Sequence, residues 1–583
     1  MTFSLTQCYL FCRKVIYYFH KYFLFDLNFY KRQKAVTMAR RLTNTLSSTS
    51  NSKVSNPAST SLSPAEVSYV VKCDLVESSL ALSGHIPAAY TPTALSRVIT
   101  DINSPSQQVT FAQWVDVAQT QLGVSPHVAS SLFNAFLVTT QSKESQLEYS
   151  RVYLSHKDRS EDAALKFLHQ RTALAPPFML FLYLQLFQRN TYIHNAADAW
   201  VGGAGSARQL ALTTRSHDGE AFLTFVRRHL YDLLLCTSMG NYKITSNDVQ
   251  HLGLLLHEKP PAPTSTCFGA NLPFWVAGTG SVEVSVLHTY LQQHVAHSAT
   301  WYPPLELPIA GGKLRVLWPD PGTAPSTHVA LIARVQGLFT RSVALPSYVS
   351  LVVISSCSQC TIYLLCPLPN VSVIGCINVT LVLGAVAGTL AVEECDMVKV
   401  VATCGGCRVV NTTGARLHLC SNTQPTIHGL VKGVQMAPYS THYNMLEADM
   451  KTCGLNPLLN FATSFLTMVQ GMDATLLPPE EFTPIMIPIQ APPRYHGCPS
   501  TVYSPCVLPP VYAKSVQKVT EAFNTSLHSI QRVLALLHAD GSEKALATAA
   551  AFRQKVEAQF SQWVASSGQQ RAVLDMLLVP PEK

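Results

Sequence analysis

SLVVISSCSQCTIYLLCPLPNVSVIGCINVTLVLGAVAGTLAVEECDMVKVVATCGGCRVVNTTGARLHLC, residues 350–420 of a 583-residue chain, repeats every 19 positions. Cys357, Cys376 and Cys395 keep that step, and the next lands on Gly414. Val352, Val371, Leu390 and Val409 form a second column. Cys360, Val379, Val398 and Leu417 form a third, and Ile362, Leu381, Val400 and Leu419 a fourth. His428 and Met436 stand where a less regular fifth turn would continue the 409 and 417 columns. A single turn cannot bury its own apolar residues, so turns stack and share one core. Val, Ile, Leu, Cys, Thr and Gly dominate and no long helical pattern survives, so the stack is a parallel β-solenoid with a rise of about 4.8 Å per turn. Strand alternation puts 360, 362 and 364 inward and 361 and 363 outward.

Working outward, a cap must follow, because an open parallel edge invites aggregation. Residues 436–450 supply a helix-like run, and the proline-rich stretch 451–510 reads as cap and linker, with Thr483–Gln490 as an edge strand. Residues 511–583 are helical again, with a break at Asp540-Gly541 between helices at 511–539 and 543–566. Upstream, residues 65–260 are mostly helical. Trp114, Val117, Ala118 and Leu122 recur at helical spacing, as do Val128, Leu132, Ala135 and Phe136. Phe178–Phe187 is too short to span a bilayer and reads as a buried helix. Residues 266–345 form a connecting subdomain with strands at Leu314–Trp318 and His328–Val335. The fold class is therefore α+β and multidomain: an α-helical N-terminal region, a parallel β-helix over 346–450, and C-terminal helices.

Forty-two Lys and Arg face 34 Asp and Glu, a net charge of +8. Eight of the basic residues and a single acid, Asp26, fall within residues 1–41, so the remaining chain is almost neutral. That excludes a basic nucleic-acid-binding domain beyond residue 41. Two readings stand for this tail: an extension outside the fold, with a start before Met38, or a membrane-surface helix. Membrane contact, if any, is confined to residues 1–41. Residues 42–64 are rich in Ser, Thr and Asn and read as a linker, so residues 1–64 are set apart. Sixteen cysteines in so long a chain are no small-scaffold disulfide framework. The chain reads as cytoplasmic, with reduced thiols.

Cys376–Gly384 (CINVTLVLG), Asn411–Gly414 (NTTG), Ala437–Met450 (APYSTHYNMLEADM), Leu476–Phe482 (LLPPEEF) and Phe560–Gly568 (FSQWVASSG) resemble the tubulin-binding cofactor C-like domain family. The resemblance implies a right-handed parallel β-helix and a non-enzymatic cytoskeletal role at the centrosome, spindle pole or basal body. It also implies a part in centrosome and Golgi positioning, with centrosomal, basal-body or tubulin-related partners. Some members activate a GTPase through a Gln-x-Arg-x-His rung, whose arginine finger is worth about 10³–10⁵ in rate. Here that rung reads Gly406-Cys407-Arg408-Val409-Val410, with the arginine kept and the glutamine and histidine absent. A GTPase of the tubulin type, or a small GTPase of the Arf-like type, is thus the alternative partner. Since Val409 is an inward position, Arg408 is expected to face outward, where a partner could meet it. The resemblance places further binding residues at Tyr439, His442 and Tyr443, of which His442 also supports the cap.

The remaining candidates are explained without chemistry. Cys357-x-x-Cys360 and Cys404-x-x-Cys407 have zinc-like spacing, but the repeat accounts for Cys357 and Cys360 as buried apolar groups. His418, His428, His442 and His496 share no metal-ligand spacing. No phosphate-binding GxxxxGK[ST] loop is present, and adjacent Glu480 and Glu481 point apart. No cofactor and no metal are expected.

Overall fold

The computed structural model describes residues 68–72, 86–102, 106–140, 170–187, 221–259, 268–269, 272–276, 280–296, 315–317, 329–467, 473–485, 487, 491, 504–540 and 542–566. The tail and linker read over 1–64, and His496, lie outside them.

The solenoid contains six successive strand pairs between Val329 and Pro438. One sheet stacks Val329–Ala333, Leu351–Ser355 and Asn370–Ile374, then residues 389–393, 406–410 and 426–428. The other stacks Gly337–Arg341, Ser358–Leu364 and residues 377–383, then 399–404, Arg416–Ser421 and Val434–Pro438. The core starts earlier than the sequence boundary at 346, because Val329–Ala333 and Gly337–Arg341 make the first rung rather than a connecting subdomain. Arg315–Leu317 closes that end as an antiparallel strand on Val329–Ala333.

The first five turns round a corner through two residues of positive φ spaced by three, and the last through Gly429 and Gly433, spaced by four. Ser356 and Gln359, Gly375 and Asn378, Glu394 and Met397, and Asn411 and Gly414 are successive examples. Between them sits a small donor. Cys376 Sγ donates to Ile354 and Ile374 carbonyls at 3.8 and 3.6 Å, and Cys395 Sγ to Val373 and Glu393 at 3.6 and 3.2 Å. Thr412 Oγ1 does the same to Val392 and Val410 at 3.4 and 2.8 Å.

Thr412, not Gly414, therefore continues the cysteine column, and the strict 19-residue step fails there. Leu390 pairs with Cys407 and Val392 with Val409, so this rung is two residues short. Val400 pairs with Leu417, and His428 pairs with Val410 while Ile427 continues Val409. Met436 does continue Leu417. The cause is a pair of register shifts in the long strand Ile377–Glu393, around Gly384 and Gly388. A Cβ on Gly384 would collide with the Cys366 carbonyl, and one on Gly388 with the Asn370 side chain. Glycine lets the backbones approach and the strand jog.

The expected inward residues Cys360, Ile362 and Leu364 lie in the solenoid core. Tyr363 points outward as expected, yet it is buried, because the cap covers it. Residues Tyr439–Leu455 and the neighbouring Ile485, Ile487, Ala491 and Cys506 pack on the outside of the second sheet, over Tyr363, Val382 and Val401. Residues 483–485 run alongside Ser440 without becoming the predicted edge strand; that place belongs to Ala474–Leu476, on Val434–Pro438.

The helical unit packs on the solenoid. Its core joins α1 (Pro92–Ile102), α2 (Phe111–Leu122), α3 (Pro126–Thr140), α4 (Ala175–Leu184), the helical residues 221–237 and α5 (Val284–His294). Thr110 caps α2 by accepting from Gln113 N–H, and Gly123 ends it at φ 63°. Trp114 donates to the Ala129 carbonyl at 2.8 Å and meets Phe178 edge-on at 5.0 Å, tying three helices together. The same core takes in Leu458 and Leu459 from the cap. α3 lies against strands 377–393 and 399–410. Gln424 hydrogen-bonds His127 Nε2 at 2.6 Å and also Ser131. Much of the outer solenoid surface is thus covered by the chain itself.

At the C-terminus, α6 (Leu446–Thr452) belongs to the cap, while α7 (Pro510–Asp540) and α8 (Glu543–Ser566) form a hairpin. Tyr512 anchors its base by donating to the Leu477 carbonyl at 2.7 Å.

Candidate partner-docking surface

Arg408 lies in the fifth rung of the first sheet, between Ala391 and Thr426. Its side chain leaves the solenoid core, as strand alternation requires, but it does not reach open solvent: the residue is 3% exposed. It stands in an outward column with Ser372, Ala391 and Thr426, all buried. Arg408 Nη2 donates to Glu393 Oε1 at 2.5 Å, one rung back and diagonally across. The expectation of an arginine open to a partner is corrected. Single-strand alternation tells inside from outside, but it cannot tell which outside positions another part of the chain will cover.

Tyr439 and Tyr443 are also inside the fold, at 1% and 3% exposure. Tyr443 Oη donates to Asp449 Oδ2 at 2.8 Å, tying the approach to α6 to the helix itself. Burial pushes the Tyr439 phenol well above its ordinary value, which keeps it neutral. His442 is partly buried between them. Thr441 Oγ1 donates to the Ile485 carbonyl, and Asn444 pairs with Ala491 as a strand would, accepting at 3.0 Å and donating at 2.8 Å. The stretch is therefore a clasp holding two cap segments to the last rungs. Neither tyrosine ring is presented to a partner.

Two asparagine side chains make the same kind of clasp one segment later. Asn422 donates to the carbonyls of Asn456 and Leu459 at 2.8 Å each and accepts from Asn456 N–H at 2.7 Å. Asn460 donates to Leu419 at 3.1 Å. Side-chain amides mimic backbone there, where no regular strand continues the ladder.

The CxxC cysteines serve the corners and the core. Cys357, Cys360, Cys404 and Cys407 are all buried, and burial pushes the Cys404 thiol up to about 12. Among the described residues no group of three or more His, Cys, Asp and Glu side chains is arranged to hold a metal ion.

What remains partly open is a polar edge of the second sheet: Thr380, Lys399, Arg416 and Gln435 in one column, ending at exposed Thr475. Arg416 Nε donates to Gln435 Oε1 at 2.9 Å. Beneath the two cations lies His418, buried against Phe482 at a ring separation of 5.9 Å. Burial, then Lys399 and Arg416, hold its imidazole down to about 3, so it is neutral. Sequence spacing missed this column, because a 19-residue step pairs Lys399 with His418. The shortened rung pairs it with Arg416.

The family described as Tubulin binding cofactor C matches residues 349–465, the solenoid and the start of its cap. The chain is similar to TBCC domain-containing protein 1 of Homo sapiens, 27% identical over 516 residues, covering 81% of this chain and 89% of that protein. The Bos taurus protein of that name is 26% identical over 526 residues, with the same coverage. With the Gallus gallus protein identity rises to 32% over 232 residues, but that match spans only 39% of either chain. The similarity thus extends along most of the chain.

Proposed function

We propose, for a chain that carries a tubulin binding cofactor C domain inside a longer similarity to TBCC domain-containing protein 1, that it is a non-enzymatic cytoskeletal adaptor. A tubulin- or cytoskeleton-related role is what the domain supports. The finer reading is action at a microtubule-organising centre, whether centrosome, spindle pole or basal body, in positioning the centrosome and the Golgi. Its partners there are centrosomal, basal-body or tubulin-related proteins.

One observation carries the non-enzymatic side: Arg408 is covered and ion-paired with Glu393. An arginine finger must reach the transferring phosphoryl group, and this one is turned into the protein. The rival, a GTPase activator, rests on the presence of that arginine in its rung.

Fluorescent fusions starting at Met1 and at Met38 test the location. Focal signal at the organising centre from both supports the adaptor reading, and diffuse signal from both sinks it. Membrane signal from the Met1 fusion alone would shift the reading to a membrane adaptor using residues 1–41. Adding the protein to tubulin or an Arf-like GTPase tests the rival: the adaptor reading expects no rise in hydrolysis. A rise abolished by Arg408→Ala would establish the activator instead.

A further inference from the structure

Lys399 and Arg416 occupy the same outward position on adjacent rungs, directly opposite one another. Like charges so placed repel, and a sheet normally avoids them. The rest of the column, Thr380, Gln435 and Thr475, is uncharged. Lys399 is partly buried, and among the described residues no carboxylate lies within ion-pair distance of it. The acids of this edge are engaged or held apart. Asp473 Oδ2 accepts from Gly433 N–H at 2.8 Å, and Asp396 sits at the exposed corner, where its rung mates are Ile377 and Thr413. Glu481 lies 3.8 Å from Arg416, with their side chains 53% and 41% exposed.

That last contact says what the edge accepts. The cap already holds one carboxylate toward Arg416, at a distance and exposure that leave it easily displaced. Lys399, next to it, has no equivalent. Burial and the neighbouring Arg416 both penalise its charge, drawing its amine down to about 8. A second carboxylate laid across both heads would relieve that repulsion, and the low charge around them leaves little to compete.

We propose that the Lys399–Arg416 pair is a docking point for an acidic peptide of a partner protein, whose Glu or Asp carboxylates bridge the two stacked cations. Thr380, Gln435 and Thr475 line the strip along which such a peptide would run, parallel to the stack. The proposal does not depend on where the protein resides.

The test uses the full chain and a fluorescein-labelled hexaglutamate peptide, read by anisotropy at low and at physiological salt. Saturable binding that weakens with salt is expected. Lys399→Glu with Arg416→Glu should weaken it at least tenfold, while Lys432→Glu, an exposed corner cation of the same edge, should change it less than twofold. Lys399→Gln with Arg416→Gln gives the same reading should the reversal disturb folding. Equal binding by wild type and double variant overturns the proposal. So does an equal effect of Lys432→Glu, which would mark general attraction only. Displacement by inorganic phosphate at matched charge concentration would reduce the pair to a simple ion site. Binding of phosphatidylserine vesicles, lost in the double variant while the peptide fails to bind, would assign the edge to membranes instead.

Discussion

Arg408 and Glu393 meet at 2.5 Å from adjacent rungs, both pointing out of the solenoid, both shielded from solvent. Such a pair is costly to break from one side, because the survivor keeps an uncompensated buried charge. Arg408→Ala should destabilise the protein by about 3 kcal/mol or more in urea denaturation. Arg408→Met with Glu393→Leu removes both charges and should recover most of that loss. A loss below about 1 kcal/mol for Arg408→Ala would mean that the arginine is not held as described.

The corner column asks for a small donor rather than for a thiol. Cys395→Ser should shift stability by less than about 1 kcal/mol. Thr412→Val keeps shape but loses the bonds to the Val392 and Val410 carbonyls, and should cost about 1 kcal/mol. Chelation with EDTA should leave the melting temperature of wild type unchanged, and stoichiometric zinc in purified protein would contradict this account.

Gly384 lets the long strand jog. Gly384→Ala puts a methyl against the Cys366 carbonyl and should cost about 1–3 kcal/mol, as overpacking typically does. Gly280, around which nothing lies within 4 Å, supplies the control, and Gly280→Ala should be close to neutral.

His418 makes stability depend on acid. Its folded value of about 3 lies below the ordinary 6.5, so the unfolded chain binds a proton that the folded chain refuses. This contribution is complete above about pH 6.5 and is lost as pH falls toward 3, at up to about 1.4 kcal/mol per pH unit. The groups responsible are burial first, then Lys399 and Arg416, with Phe482 closing the site from the cap. His418→Phe should flatten the pH dependence of stability between 6.5 and 4. An unchanged slope would show that His418 is not the group responsible.

Much of the molecule is legible in the sequence. The 19-residue columns predict the solenoid, and Cys360, Ile362 and Leu364 face its core as alternation requires. Trp114, Val117, Ala118 and Leu122 mark the buried face of α2, and the break at Asp540-Gly541 separates α7 from α8. These are local properties. Apolar spacing along a strand or helix must match its own geometry, wherever the rest of the chain lies.

The candidate site was not legible in the same way. Strict periodicity could not foresee the two residues lost at the register shifts around Gly384 and Gly388, so the Lys399–Arg416 column stayed hidden. It could not foresee that α3 and the cap would lie over outward positions such as Tyr363, nor that Arg408, Tyr439 and Tyr443 would be interior residues. The repeat in this sequence determined that there is a stacked core, and what lines it. Only the tertiary structure decided which outward side chains meet solvent, because coverage depends on segments up to about 300 residues away in the chain, such as His127 on Gln424.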